Sequence, residues 1–146
     1  LDANEYRDLI NRHISTCKYL EINPHFPSPM QIPEDNPSAF YWHDEILLRD
    51  NYRLVIKESA VFEDGEMSER SFYYDFRKKD DRKLVWRICN HFVEKPVSAP
   101  CHVHVNPEKE KDFNEFFPDS VKTTFPYAMH CVKNFYEGKP QEWEVS

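Results

Sequence analysis

From Phe40 to Phe92 the apolar residues recur every second position, and that period constrains the folds open to this chain more than any other feature. In "FYWHDEILLR", Phe40, Trp42, Ile46 and Leu48 alternate with Tyr41, His43, Glu45 and Arg49. "YRLVIKESAVF" follows, with Leu54 and Ile56 on one side. "RSFYYDFRK" sets Phe72, Tyr74 and Phe76 against Tyr73, Asp75 and Arg77. "LVWRICNHFV" sets Leu84, Trp86, Ile88 and Phe92 against Val85, Arg87, Cys89 and His91. Successive side chains of a strand leave on opposite faces, so each segment has one apolar side and one polar side. The joints are short: "DN" at 50–51, "EDGE" at 63–66 and the charged "KKDDRK" at 78–83. Four strands joined in this way predict an antiparallel meander.

Helical patterns flank the strands. "LDANEYRDLINRHISTCKYL" predicts a helix, with Asp2 as N-cap, Glu5 three residues on as in a capping box, and Leu1 stapled onto Tyr6. Its apolar stripe takes Tyr6, Leu9, Ile10, His13, Ile14, Cys17 and Leu20, which makes His13 a core histidine rather than a ligand. "NPHFPSPMQIPEDNPS" holds five prolines in sixteen residues and reads as an extended connector, since proline cannot continue a helix or enter a central strand. "NPEKEKDFNEFF" (106–117) predicts a short helix with Asn at the cap and Pro at the first turn. "FPYAMHCVKNFYEGK" predicts another, begun by Pro126 and ended by Gly138. The expected architecture is a single α+β domain over residues 1–146: an N-terminal helix on a four- or five-stranded antiparallel meander, with two C-terminal helices.

The totals remove several function classes. Two glycines in 146 residues exclude glycine-built phosphate loops. A net charge of −7 opposes a polyanion on average, so any nucleic-acid contact needs a local basic patch. No apolar run approaches the ~20 residues of a membrane span, and "LDANEYRD" lacks the basic-then-apolar order of a secretory signal. The four cysteines, Cys17, Cys89, Cys101 and Cys131, contain no CxxC pair and suit neither a disulfide framework nor a zinc knuckle. Reduced thiols and a cytoplasmic protein are the expectation.

The chemically richest stretch is "APCHVHVN", residues 99–106. On a strand over 101–105, His102 and His104 share one face and Cys101, Val103 and Val105 the other, so the imidazoles face a groove or solvent. If this strand adjoins those over 84–93 and 71–78, then Tyr73, Asp75, Arg87, His91, His102 and His104 gather on one sheet face. Paired imidazoles supply an acid and a base near neutral pH, and Arg87 a forked donor for a phosphate or oxyanion. Asp75 can orient an imidazole, and Tyr73 can donate a hydrogen bond or stack on a base. The set suits metal-free phosphodiester cleavage; H-x-H on a strand equally presents two metal ligands. An ordinary solvated polar face has the same composition. His130 and Cys131, adjacent on a helix, diverge by about 100° and do not form a ligand pair.

"LLRDNYRLVIKE", "YYDF", "LVWRICNHF" and "APCHVHVN" together resemble the TumE-type family, small prokaryotic proteins taken to be the toxins of two-gene toxin–antitoxin modules. Leu48, Asp50, Leu54 and Glu58 match the first motif, Tyr73 and Tyr74 the second, Arg87, Asn90 and His91 the third, and Pro100, His102 and His104 the last. The resemblance covers about residues 46–105 and departs at Cys89, Phe92 and Cys101, where the family has Asp, a second His and the first clustered His. It implies the genetic role of a toxin-like protein more clearly than a reaction; together with the helix-then-meander order and the Arg/His/Tyr face, it supports a protein acting on RNA or a nucleotide, with no metal or other cofactor expected. Arg87, His91, His102 and His104 are then the candidate catalytic residues, and Tyr73, Asp75 and Asn90 the candidate binding residues. An antitoxin-like protein partner and no membrane association go with that reading. The alternative is a non-enzymatic domain that binds a protein partner, a metal or a small ligand; the aromatic "NFYEG" and "QEWEV" segments and the acidic surface favour the first of these.

Overall fold

The computed structural model describes residues 1–21, 30–81, 83–90, 102–105 and 124–144. Helix α1 (Ala3–Ser15) is followed by strands β1 (Met30–Gln31), β2 (Ala39–Leu48), β3 (Tyr52–Glu63), β4 (Glu66–Lys78), β5 (Leu84–Cys89) and β6 (His102–His104), then helix α2 (Phe125–Glu137). All strand pairs are antiparallel and the spatial order is β1-β2-β3-β4-β5-β6, a six-stranded meander. The meander is the architecture the period-two pattern demands, because short turns connect only antiparallel neighbours. Asp50 and Asn51 (φ 61° and 70°) turn β2 into β3, and Asp64 with Gly65 (φ 52° and 79°) turn β3 into β4. Both pairs occupy the left-handed conformations that match the twist of a hairpin, and Asn, Asp and Gly are the residues that tolerate them.

The core lies on one face of the sheet. Phe40, Trp42, Leu48, Leu54, Ile56, Phe72, Tyr74, Phe76, Trp86, Ile88 and Val103 are buried there. Both helices cover this face. Tyr6 of α1 meets Phe40 edge-on at 5.2 Å; Phe125 of α2 meets Trp42 at 4.9 Å, and Phe135 meets Phe76 at 5.0 Å. The Asp2 carboxylate caps α1 by accepting from the Glu5 amide at 2.8 Å, and Gly138 ends α2 in the left-handed conformation (φ 69°). No helix among the described residues is long and apolar enough to cross a membrane.

The structure corrects the expected elements in two places. Helix α1 stops at Ser15, five residues before Leu20. The hydroxyls of Ser15 and Thr16 both donate to the Arg12 carbonyl, and the chain beyond joins the sheet margin: Arg49 N donates to Tyr19 O, Glu21 N donates to Leu47 O, and Leu20 bridges Leu48. Cys17 and Leu20 are therefore not on a helical stripe, and His13 is only half-buried outside the core. Second, the sheet has six strands where four or five were expected: the proline-rich connector contributes β1, a two-residue edge strand that itself holds no proline. Among the described residues, α2 is the only C-terminal α-helix. The helix expected over 106–117 lies outside the described residues, as does the end of the strand expected to reach 93.

Candidate functional site

The second sheet face changes character across its width. On β2 and β3, Tyr41, His43, Glu45 and Lys57 are exposed, as an open polar face requires. On β4 to β6, Asp75, Cys89, His102 and His104 are 2%, 3%, 0% and 8% exposed. Polar and ligating groups are buried there together, and burial makes their partners decisive.

Register explains the gathering. Arg87 pairs with Asp75 on one side and His104 on the other; Cys89 pairs with Tyr73 and His102. Directly opposed residues of an antiparallel pair sit with their side chains adjacent, so the alternation of three strands brings Tyr73, Asp75, Arg87, Cys89, His102 and His104 onto one face. Val103 points the other way and is fully buried against the core opposite Ile88.

Two subsites result. In the first, Cys89 Sγ lies 3.2 Å from His102 Nε2, the two imidazole rings are 4.8 Å apart between centroids and steeply inclined (73°), and the ligand atoms of Cys89, His102 and His104 all fall within 4.8 Å of one another. A tetrahedral zinc with bonds of about 2.0–2.3 Å sets its donors roughly 3.3–3.7 Å apart. The Cys89–His102 pair is near that spacing. In the second subsite, the Asp75 carboxylate holds two guanidiniums: Arg77 two residues along β4, with Nη2 at 2.8 Å, and Arg87 across the strand pair, with Nε at 2.7 Å. Arg87 also lies over the Tyr73 ring, its guanidinium carbon 5.6 Å from the centroid, and keeps 40% of its side chain exposed. Asp75 thus orients guanidiniums, where an imidazole was expected. Asn90 sits at the end of β5 and extends the ladder with its side chain, accepting from the Phe72 amide at 2.9 Å and donating to the Arg70 carbonyl at 2.7 Å. His91 lies outside the described residues.

A separate polar group lies on the core face. Glu58, 1% exposed, accepts from the hydroxyls of Tyr6 and Tyr74 at 2.5 Å each and from Arg70 Nε at 3.3 Å. Arg70 Nη2 donates to the Tyr74 hydroxyl at 2.7 Å, and its guanidinium stacks 3.7 Å over Phe72. The Tyr6 hydroxyl accepts from the Phe125 amide at 3.4 Å, which ties α1, the sheet and the start of α2 to one carboxylate. Burial first, and the Glu58 charge after it, push the Tyr6 hydroxyl far above its ordinary pKa; burial also raises that of Tyr74. Burial alone would lower the pKa of Arg70, but Tyr74, Glu58 and Tyr6 outweigh it and hold the guanidinium charged. Each group here is spent on another, so this network joins elements.

The residue that sequence reasoning passed over at the site is Cys89. Its position in the alternation already placed it beside Arg87, but cross-strand ligands carry no fixed spacing and so leave no motif. The core-face network was equally hidden, with Glu58 marked only by the family resemblance. No family model, curated protein or solved structure matches the chain. The TumE-type resemblance therefore rests on its motif residues alone.

Proposed function

We propose that this chain binds a transition metal of the zinc class through Cys89, His102 and His104. What supports this is the convergence of one thiol and two imidazoles, all buried, with ligand atoms within 4.8 Å. Thiolate and imidazole are the donors zinc prefers, and among the described residues these three are the ligands available, the count found at catalytic zinc sites that keep a further position for water. Water on such an ion loses its proton at a pKa near 7, which would give the site a hydroxide at neutral pH. Titrating the purified chain with zinc should show one equivalent bound. Cys89→Ala, His102→Ala and His104→Ala should each weaken it by about a hundredfold or more. A chain that carries no metal and gains no stability from zinc, manganese or nickel overturns the reading.

A second reading keeps the toxin-like role and dispenses with the metal: His102 and His104 act as base and acid on RNA or a nucleotide, with Arg87 on the phosphate. It is favoured by the pairing of Arg87 directly across from His104. Turnover of RNA that persists in chelator and is lost in His104→Ala supports this second reading; turnover abolished by chelator and restored by zinc supports the first.

A further inference from the structure

We infer that Lys57, Tyr73 and Arg87 form a phosphate-binding patch on the second sheet face. The patch builds on the phosphate role given to Arg87 in the second reading above and needs no metal. Register brings the three residues together. Lys57 on β3 stands directly opposite Tyr73 on β4, which sets their Cβ atoms about 5 Å apart. Arg87 reaches the same ring from β5, its guanidinium carbon 5.6 Å from the centroid. Tyr73 is thus bordered by a cation from each neighbouring strand. Asp75 takes the Nε and Nη2 edge of the guanidinium, at 2.7 Å each, and fixes its direction. Nη1 is not spent on that carboxylate, and 40% of the Arg87 side chain is exposed. Lys57 is exposed as well, and among the described residues neither its ammonium nor the Tyr73 hydroxyl has a hydrogen-bond or ion-pair partner.

Three successive cross-strand rows of this face carry Lys57, Arg53, Arg77 and Arg87, and the carboxylates among them are Glu45 and Asp75. Among the described residues these rows are therefore locally cationic, in a chain whose total charge is −7. A field of that shape attracts a compact anion and opposes an extended polyanion. The outer edge of the guanidinium, the ammonium and the phenol each donate to a different oxygen of one phosphate. The ligand that fits is the phosphate of a small molecule, such as a nucleoside monophosphate.

The test titrates inorganic phosphate, adenosine monophosphate and a short oligouridylate into the full chain in chelator, with binding followed by calorimetry. Saturable binding of phosphate and of adenosine monophosphate is expected, weakening as salt is raised. Affinity should fall roughly tenfold or more in Arg87→Gln, through loss of a charge-assisted contact. It should fall about threefold in Lys57→Gln and in Tyr73→Phe. Because Lys57 is exposed, Lys57→Gln should keep the wild-type midpoint of urea unfolding, so it decides the test should Arg87→Gln fold poorly. No saturable binding, binding of the oligouridylate alone, or wild-type affinity in either Lys57→Gln or Arg87→Gln overturns the patch. Binding as expected, in a chain that turns over neither RNA nor nucleotide, leaves the patch standing and overturns the second reading.

Discussion

The two faces of the sheet bury polar groups in opposite ways. On the core face, Glu58 receives two phenol hydroxyls and a guanidinium, and every member of the group is satisfied by another member. On the other face, Cys89, His102 and His104 bring electron-pair donors together, beside an arginine whose carboxylate partner is shared. A closed hydrogen-bond network stabilises the packing around it. A thiol and two imidazoles at this spacing also form a donor set that a cation could share, as proposed above. Burial alone does not separate the two; the chemistry of the partners does.

Removing Glu58 is the sharpest way to break this contrast. Glu58→Ala leaves Arg70 without its buried counter-charge and should destabilise the chain by about 3–5 kcal/mol in urea unfolding. The variant that still folds should bind zinc as the wild type does. A loss of zinc affinity as large as the loss of stability would show that the two faces are not independent.

Zinc should act only on the other face. At a free concentration a hundred times its dissociation constant it should stabilise the wild type by about 2.7 kcal/mol. Cys89→Ala should lose that gain, whereas Glu58→Ala should retain it. An equal gain in Cys89→Ala places the ion elsewhere.

The core-face phenols make a smaller, pH-dependent contribution. The folded-state pKa values of Tyr6 and Tyr74 lie well above the ordinary 10.0, chiefly through burial, so the native state holds protons that the unfolded state releases. Their stabilisation is complete below pH 10 and declines as pH rises beyond it. Tyr6→Phe should cost about 1–2 kcal/mol at neutral pH by removing one hydrogen bond to a buried carboxylate, and its stability should fall less steeply above pH 10 than that of the wild type. A steeper fall would contradict the assignment. Smallest is Asp2→Ala, which removes the α1 cap and should cost about 1 kcal/mol, detectable as a lower unfolding midpoint with zinc affinity unchanged.

Much of this architecture was legible one strand at a time. Alternation placed Phe40, Trp42, Leu54, Phe76, Trp86 and Val103 on one face and Tyr73, Asp75, Arg87 and His104 on the other, because a strand's period is two whatever its neighbours. Turn residues Asp50, Asn51, Asp64 and Gly65 announced the hairpins through backbone conformations that few side chains accept. The α1 cap at Asp2 and the α2 stop at Gly138 were local signals of the same kind. The early end of α1 was harder to see, since Cys17 and Leu20 fit the helical stripe and only the sheet margin offered them an alternative.

Face and order, then, belong to the sequence itself, because pleat, turn and cap chemistry act over a few residues. Register does not. Whether Cys89 stands opposite His102, or Glu58 within reach of Tyr6 fifty-two positions away, depends on how whole strands and a helix settle against one another. Those contacts link residues that no local spacing connects, so only the tertiary structure decided which buried polar groups came together.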